Sequence, residues 1–196
     1  MEVQTLTLTD YQSNCYVVTS DGQSLVIDPG APDQGIWDAV ADTDVIAIMN
    51  THAHPDHIGG SPQLKKELNV PLLLHKADRA WWRALLGDEV PPDRYIDEGE
   101  TINVGSVSLE VMHMPGHCPG QVILLEHSRR LIFSGDLIFA GSIGRTDFPG
   151  GSDEQMSDSL RRLDKLEGDW RIYPGHGPVT TLDQERAANP FLIELR

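Results

Sequence analysis

The pattern of apolar and polar positions alternates between short strands and amphipathic helices along the chain. Short runs rich in Val, Leu, Ile and Thr, several of them next to turn residues, predict strands. The predicted strands are residues 2–9, 14–20, 23–28, 44–50, 70–75, two strands around Gly105 within 101–114, and then 121–127, 129–136 and 170–175. The predicted helices are residues 33–42, 56–68, 76–87, 152–168 and 181–195, the last broken at Pro190. This alternation predicts an α/β fold with sheets buried between helices.

Local signals sharpen some of these boundaries. The turn residues at 21–23 predict an antiparallel hairpin between the two strands that flank them. Ser152 and Gln155 have the spacing of a capping box, so a helix is expected to begin there, and Gly168 is of a residue type that ends helices. The run at 44–50 is apolar without alternation, which is typical of a strand covered on both faces.

Composition and charge narrow the class of protein. The chain has 196 residues, of which 39% are apolar, and this predicts a single globular domain over residues 1–196. No run approaches the roughly 20 apolar residues of a membrane span, and the first residues lack a signal-peptide pattern, so a cytoplasmic protein is expected. A net charge of −15 disfavours binding to nucleic acid or to an anionic membrane. The expected partner is a small-molecule substrate, and the oligomeric state stays open.

Histidine and aspartate residues follow the ends of four predicted strands. The segment THAHPDH at residues 51–57 alone contains three histidines and one aspartate. Loops at strand ends carry the functional side chains of many sheet proteins, so these residues are expected to meet in the fold. The full set is His52, His54, Asp56, His57, His117, Asp136 and His176.

These residue types predict a metal site with more than one ion. Imidazoles and carboxylates without thiolates suit zinc, iron or manganese, and seven ligands exceed the four of a closed structural zinc site. We therefore expect two divalent metal ions, with zinc favoured over iron and manganese. Two-metal sites of this kind activate water and stabilise the negative charge that develops during hydrolysis.

Other residues of metal-binding type are expected to lie outside this site. His75 and His127 are interpreted as ordinary core or surface histidines. His113 lies in the same region as His117 but is interpreted as a strand residue beside Met112 and Met114, and not as a ligand. Cys118 directly follows a candidate ligand and is interpreted as a small residue that lines a loop.

The motifs resemble those of the metallo-β-lactamase superfamily over nearly the whole chain. The superfamily's T-H-x-H-x-D-H stands here at 51–57, and its later ligands match PGHCPG at 115–120, SGD at 134–136 and YPGHGP at 173–178. The resemblance implies a four-layer αββα sandwich, in which two sheets pack together with helices outside. The stretch GDLIFAGSIGRTDFPGGS at 135–152 is similar to short, single-domain members of the glyoxalase II, or hydroxyacylglutathione hydrolase, group.

The resemblance also implies a role for each residue. Site one would comprise His52, His54 and His117, site two Asp56, His57 and His176, and Asp136 would bridge both. Asp56 would in addition be catalytic, by orienting the hydroxide that attacks the substrate. Asp28 is expected to fix a ligand or loop through hydrogen bonds, with a plain Asp-Pro-Gly turn as the alternative. Arg145 is a candidate to bind a substrate carboxylate, with a salt bridge inside its loop as the alternative.

Three activities are compatible with the resemblance. The first is hydrolysis of an acyl thioester such as S-D-lactoylglutathione by metal-bound hydroxide. The second is the activity of a persulfide dioxygenase. The segment GRTDF at 144–148 also resembles that group of enzymes, and such an enzyme would hold one iron through His52, His117 and Asp136. The third is hydrolysis of another ester or a lactone. Classical glyoxalase II has a helical C-terminal domain, and a lysine and a tyrosine, that contact glutathione. These 196 residues lack counterparts of them, which leaves the identity of the substrate open.

Overall fold

Two six-stranded β-sheets pack face to face in the computed structural model, which describes residues 1–195. Helices lie on the outer side of each sheet, and apolar side chains fill the space between the layers. This arrangement confirms the predicted αββα sandwich. Arg196 lies outside the described residues, and the assignment of residues 1–196 to one domain stays a prediction.

The first sheet has its strands in sequence order. They are β1 Glu2–Leu8, β2 Ser13–Ser20, β3 Gln23–Ile27, β4 Asp44–Met49, β5 Leu72–His75 and β6 Arg94–Ile96. The pairs β1–β2 and β2–β3 are antiparallel, which confirms the hairpin predicted around residues 21–23. From β3 to β6 the neighbouring strands are parallel, so the ends of β3 and β4 emerge on the same edge of the sheet.

The second sheet has the order β14-β13-β10-β9-β8-β7. Its strands are β7 Thr101–Val104, β8 Val107–His113, β9 Val122–Glu126, β10 Leu131–Gly135, β13 Arg171–Pro174 and β14 Thr180–Thr181. The pair β9–β10 is antiparallel, and β10 and β13 are parallel neighbours. A separate two-stranded hairpin, β11 Ile138–Phe139 and β12 Ser142–Ile143, follows β10.

The helices divide between the two outer layers. Those on the first sheet are α1 Gln34–Val40, α3 Ser61–Leu68 and α4 Arg79–Leu86, while α2 Pro55–Ile58 is a single turn at the candidate site. Those on the second sheet are α5 Asp153–Asp164, α6 Leu182–Ala188 and α7 Pro190–Ile193. None of the helices within residues 1–195 is long and apolar enough to cross a membrane.

The alternation along the strands explains the layers. In β2, Tyr16 and Val18 belong to the core between the sheets, whereas Cys15 and Val17 face the helices of the first outer layer. Successive side chains of a strand point to opposite faces, so a strand that is apolar at every position is covered on both sides. The run that includes β4 obeys the same rule, with Met49 between the sheets and Ile48 under the helices.

Several predicted boundaries were wrong for reasons of tertiary packing. The expected helix at 56–68 is divided into α2 and α3, since Gly60 packs directly against the backbone of Ala31 and Pro62 favours a new helix start. Residues 76–78 form a 3₁₀ turn before α4. Ser152 caps α5 as predicted, but the helix ends at Asp164 rather than at Gly168. The short strands β6, β11, β12 and β14 were not predicted.

Candidate metal centre

Five loops that follow strand ends meet at one edge of the sandwich. The loops after β3 and β4 leave the first sheet side by side, and those after β10 and β13 leave the second sheet in the same way. The loop after β8 completes the group. They carry the predicted residues Asp28, His52, His54, Asp56, His57, His117, Asp136 and His176, and the structure brings all eight together.

Three histidines, here called the first triad, form one side of the centre. His52, His54 and His117 each offer a ring nitrogen, and these nitrogens all lie within 4.8 Å of one another. All three side chains are buried. The Nε2 atom of each ring forms no hydrogen bond within the described residues. Three buried nitrogens therefore converge on one point without satisfying each other.

Asp56, His57 and His176, here called the second triad, form the other side and are already connected to one another. His57 Nε2 and His176 Nε2 are 3.3 Å apart, and His176 Nε2 lies 3.2 Å from Asp56 Oδ2. The possible ligand atoms of all three residues lie within 4.8 Å of each other. Asp56 and His57 belong to α2, a single turn in which Pro55 follows the N-cap residue His54.

Asp136 stands between the two triads. Its Oδ2 lies 3.5 Å from His117 Nε2 and 3.6 Å from His176 Nε2, while its Oδ1 is 3.4 Å from His57 Nε2. Oδ1 is buried and accepts no hydrogen bond within residues 1–195. This position, in contact with both groups, is the one predicted for a bridging carboxylate.

Asp28 supports one histidine from each triad. Its Oδ2 accepts a hydrogen bond from His57 Nδ1 at 3.2 Å and another from Thr51 Oγ1 at 2.6 Å. Because the Thr51 hydroxyl donates to Asp28, its oxygen accepts from His52 Nδ1 at 3.1 Å. These contacts protonate Nδ1 in both rings and leave each Nε2 to face the centre. Asp28 therefore does more than form a turn.

Backbone carbonyls orient two further imidazoles. His117 Nδ1 donates to the carbonyl of Arg145 at 2.7 Å, and His176 Nδ1 donates to the carbonyl of Tyr11 at 3.1 Å. Each bond keeps a proton on Nδ1 and turns Nε2 toward the centre, which is the orientation usual for histidine ligands. Orientation of these two rings thus depends on loops that are far from them in the sequence.

Asp78 is a supporting residue that sequence reasoning missed. Its side chain is fully buried; Oδ2 accepts from the Ala53 amide at 2.9 Å and from Cys118 Sγ at 3.2 Å, and Oδ1 accepts from the Gly120 amide at 2.5 Å. Ala53 lies between His52 and His54, and Cys118 follows His117. One carboxylate therefore ties together the two loops that supply the first triad. Burial raises the pKa of Asp78, although its three hydrogen bonds oppose this.

Two polar residues inside strands or beside them were also missed. Asn14 Nδ2, on β2 of the first sheet, donates to the carbonyls of Pro174 and Gly177 at 3.0 and 2.9 Å, which holds the His176 loop from the opposite sheet. Gln121 accepts from the Asp136 amide at 3.3 Å. Single amide residues of this kind carry no local motif, so no signal in the sequence identifies them.

Gly175 allows the loops to approach closely. A Cβ atom at this position would lie 2.1 Å from Asp136 Oδ1 and 2.9 Å from His57 Cε1. Any side chain here would displace the carboxylate between the triads. The glycine beside His176 is therefore required by the packing of the centre.

The two triads differ in their protonation. Burial, and then the neighbouring imidazoles, lower the pKa of His54 to about 3 and that of His52 well below its usual value. Burial would also lower the pKa of His57, but the Asp136 charge and the bond to Asp28 outweigh it and raise this pKa to about 9. Burial raises the pKa of Asp56, yet the hydrogen bond from His176 and the charge on His57 bring it down to about 2.

The residues present fit divalent metal ions. Buried nitrogen or oxygen atoms without a hydrogen-bond partner are costly, and four of them lie at this centre: His52 Nε2, His54 Nε2, His117 Nε2 and Asp136 Oδ1. Cations held at this centre would satisfy these atoms. Three imidazoles and a carboxylate form a donor set typical of zinc and iron.

The centre forms the floor of a cavity of about 540 Å³. Its walls are mainly apolar and aromatic, with Trp81 and Phe148 beside His54 and with Phe139 beside His176. Arg145 also lines the cavity and forms a two-point ion pair with Asp147, with Nε to Oδ1 and Nη2 to Oδ2 both at 2.6 Å. The loop salt bridge considered from the sequence is thus present, and a substrate contact by Arg145 stays a prediction.

The histidines interpreted as outside the centre have other contacts. His75 and His113 stack with ring centroids 4.0 Å apart, and the exposed His127 contacts Glu110 at 2.6 Å. None of the three belongs to a possible metal-binding group within residues 1–195. Cys118 is buried and donates to Asp78, so it does line its loop as expected.

Known proteins resemble this chain over most of its length. A family model described as the metallo-β-lactamase superfamily matches residues 8–176. The chain is 34% identical to hydroxyacylglutathione hydrolase GloC of Haemophilus influenzae, over 98% of this chain and 98% of GloC. It is 35% identical to YqgX of Bacillus subtilis, whose name describes a probable metallo-hydrolase, over 92% of each chain.

A solved structure shows the same likeness. The crystal structure of TTHA1623 in a di-iron-bound form superposes with a TM-score of 0.87 and 36% identity, over 97% of this chain and 100% of that one. The names of the relatives support a metal-dependent hydrolase in general. The family match, the identities and the shared fold lead to one conclusion: the chain belongs to the metallo-β-lactamase superfamily.

Proposed function

We propose that this protein is a dinuclear metal-dependent hydrolase that cleaves an acyl thioester, as glyoxalase II does. The observation that carries the proposal is the pair of triads joined by Asp136 at the floor of an apolar cavity. The likeness to GloC supports it. S-D-lactoylglutathione is the reference substrate.

Each group of residues would hold one ion. His52, His54 and His117 would hold the first, Asp56, His57 and His176 the second, and Asp136 would contact both. When bound, two divalent ions, with zinc the favoured metal, supply a Lewis acid that activates water and stabilises the oxyanion of the transition state. The residues around them orient these ligands and exclude competing water.

Asp56 is the residue we propose as catalytic besides its role as a ligand. Its carboxylate is partly exposed to the cavity, so it would accept a hydrogen bond from the attacking water and orient it.

The lining of the cavity favours a substrate with a good leaving group. Apart from the candidate ligands, Tyr11 and Arg145 are the titratable residues among the described cavity-lining side chains. An amine leaving group must be protonated as it departs, whereas a thiolate departs unaided. The scarcity of proton donors therefore favours a thioester over an amide. Arg145 would contact the substrate from the cavity wall.

A persulfide dioxygenase is the second candidate. It would use one iron held by His52, His117 and Asp136. The di-iron-bound form of TTHA1623 supports iron as a metal for this fold, although with two ions and not one. Hydrolysis of another ester or a lactone is a further possibility within the same chemistry. The expected cytoplasmic location stays a prediction.

The test separates these activities by metal and by product. The purified protein is analysed for bound metal and assayed for thiol release from S-D-lactoylglutathione and for oxygen uptake with glutathione persulfide. Two equivalents of zinc with thiol release are expected. One equivalent of iron with persulfide-dependent oxygen uptake, and no thiol release under any metal, would contradict the proposal.

A further inference from the structure

We infer that the cavity selects thioesters whose thiol arm, the part of the substrate that is released as a thiol, carries no net negative charge. The reason is that Asp147 already neutralises Arg145, the cation that lines the cavity. This inference rests on the proposed thioester hydrolysis and names its substrate class. It assigns to Asp147 a role in specificity that the ligand motifs do not reveal.

The walls of the cavity offer apolar contact on several sides. Tyr11, Trp81, Phe139, Ile143 and Phe148 surround the opening above the metal centre. Trp81 is held in place by a hydrogen bond from its indole nitrogen to the carbonyl of Pro149 at 3.1 Å. Surfaces of this kind bind aromatic or aliphatic groups by excluding water, and they offer nothing to an ionised carboxylate.

Arg145 is the one Lys or Arg residue that lines this cavity within residues 1–195. Both of its paired nitrogens contact Asp147, and its guanidinium lies over the Phe148 ring at 4.1 Å from the centroid. The hydrogen bond from Arg145 also lowers the pKa of Asp147, so the pair stays ionised near neutral pH. The charge is thus balanced, and the planar face of the guanidinium is covered by a ring.

A substrate carboxylate would gain little at this position. To form the same two-point contact it must displace Asp147, which exchanges one carboxylate for another. The displaced Asp147 would then repel it, as would a chain of net charge −15. Glutathione carries two carboxylates and one ammonium group, and therefore a net negative charge. The cavity wall around Arg145 should disfavour a thiol arm of this charge.

The experiment compares two substrates that differ in charge and in two added ethyl groups, and the Asp147 and Arg145 variants below separate the effect of charge from that of the added apolar groups. S-D-lactoylglutathione and its diethyl ester have the same acyl group and the same peptide, but the ester lacks both carboxylates. Thiol release by the metal-loaded protein gives kcat/KM for each, and hydrolysis of the ethyl esters does not disturb this readout. We expect the diethyl ester to be the better substrate by about two- to fivefold, the size typical of one exposed charge interaction.

Asp147→Asn tests the cause. Release of Arg145 should raise kcat/KM for the glutathione thioester by about two- to fivefold and leave that of the diethyl ester nearly constant. Adding Arg145→Met to this variant should remove the gain. Asp158→Asn is the matched control, because Asp158 forms a similar exposed pair with Arg161 away from the cavity. The exposed fractions are 51% for Arg161 and 68% for Asp158, against 57% for Arg145 and 65% for Asp147.

Two results would overturn the inference while the proposed function stands. One is a preference of the wild-type protein for the charged thioester that Arg145→Met abolishes, since Arg145 would then be a carboxylate anchor. The other is an equal response of Asp147→Asn and Asp158→Asn, which would indicate a general effect of net charge. Failure to release thiol from either compound would instead contradict the thioester hydrolysis itself, and the inference would fall with it.

Discussion

The first and second triads face the same point but differ in the partners and in the pKa values of their histidines. In the first, three histidines converge with their Nε2 atoms unpartnered, and burial lowers the pKa values of His52 and His54. In the second, an ionised aspartate and two histidines bind each other, and the pKa values of both histidines are raised: burial lowers them, but hydrogen bonds and charges from the carboxylates outweigh it. Protons and a carboxylate thus stabilise the second triad in the metal-free protein, whereas nothing comparable stabilises the first.

The difference implies an order of metal uptake. Metal ions require deprotonated histidines. The lowered pKa values of His52 and His54 mean that these two bind without releasing protons, whereas the second triad must release them. The first triad is therefore preorganised for metal, at the cost of buried unsatisfied atoms, and we expect it to bind its ion before the second triad does. The second stabilises the metal-free fold, and its affinity depends on pH. Asp28 links the two triads, and Asp78 supports only the first.

Loss of ligands has the largest expected effect on this comparison. His54→Ala removes one ligand of the first triad, and Asp136→Ala removes the residue between both. We expect activity to fall by about a thousandfold or more in each variant, because several kcal/mol of transition-state stabilisation are lost. Elemental analysis should find one tightly held metal in His54→Ala and weak binding of both in Asp136→Ala, with circular dichroism unchanged.

The matched control for these variants is His127→Ala, which removes an exposed histidine outside the centre. Activity near that of the wild type in His54→Ala or Asp136→Ala would show that the centre has been misplaced.

Substitution of the supporting carboxylates should distinguish the two triads by their metal affinities. Asp78→Asn perturbs the loops of His52, His54 and His117, so the first-triad metal should bind about 10–100-fold more weakly, with the second nearly constant. Asp28→Asn should weaken both, because Asp28 reaches His52 and His57. Competition titrations with a chromophoric zinc chelator measure both affinities. Equal losses at the two triads in Asp78→Asn would contradict this assignment.

The smallest expected effect is the pH dependence of uptake. The pKa of His57 is about 9 in the metal-free protein, above its usual value, so its proton stabilises that state at lower pH and the contribution disappears as pH rises through about 9. Affinity of the second triad should therefore fall about tenfold between about pH 8 and about pH 7. That of the first should depend less on pH, since the pKa of His54 is about 3 and that of His52 is also lowered.

Isothermal titration calorimetry in buffers of different ionisation enthalpy measures this proton release. Release of protons on binding of the first metal rather than the second would reverse the proposed order.

The candidate ligands were predictable because their chemistry requires rare residue types at short spacing. His52, His54, Asp56 and His57 lie within six positions, and apolar strands precede His117, Asp136 and His176. The same alternation of apolar residues located the long strands. The division of the helix predicted at 56–68 was not predictable, because it depends on the contact of Gly60 with Ala31.

The sequence by itself determined the layers of the fold and the kinds of atoms at its centre, since periodicity and residue chemistry are local properties. Only the tertiary structure decided which atoms meet. Asp78 contacts Gly120, Asn14 holds the His176 loop, and Asp147 forms an ion pair with Arg145. The first two contacts join segments far apart in the chain, and all three depend on distances of a few ångströms. Burial then sets the charge of each triad, because desolvation depends on the surrounding fold and not on the residue alone.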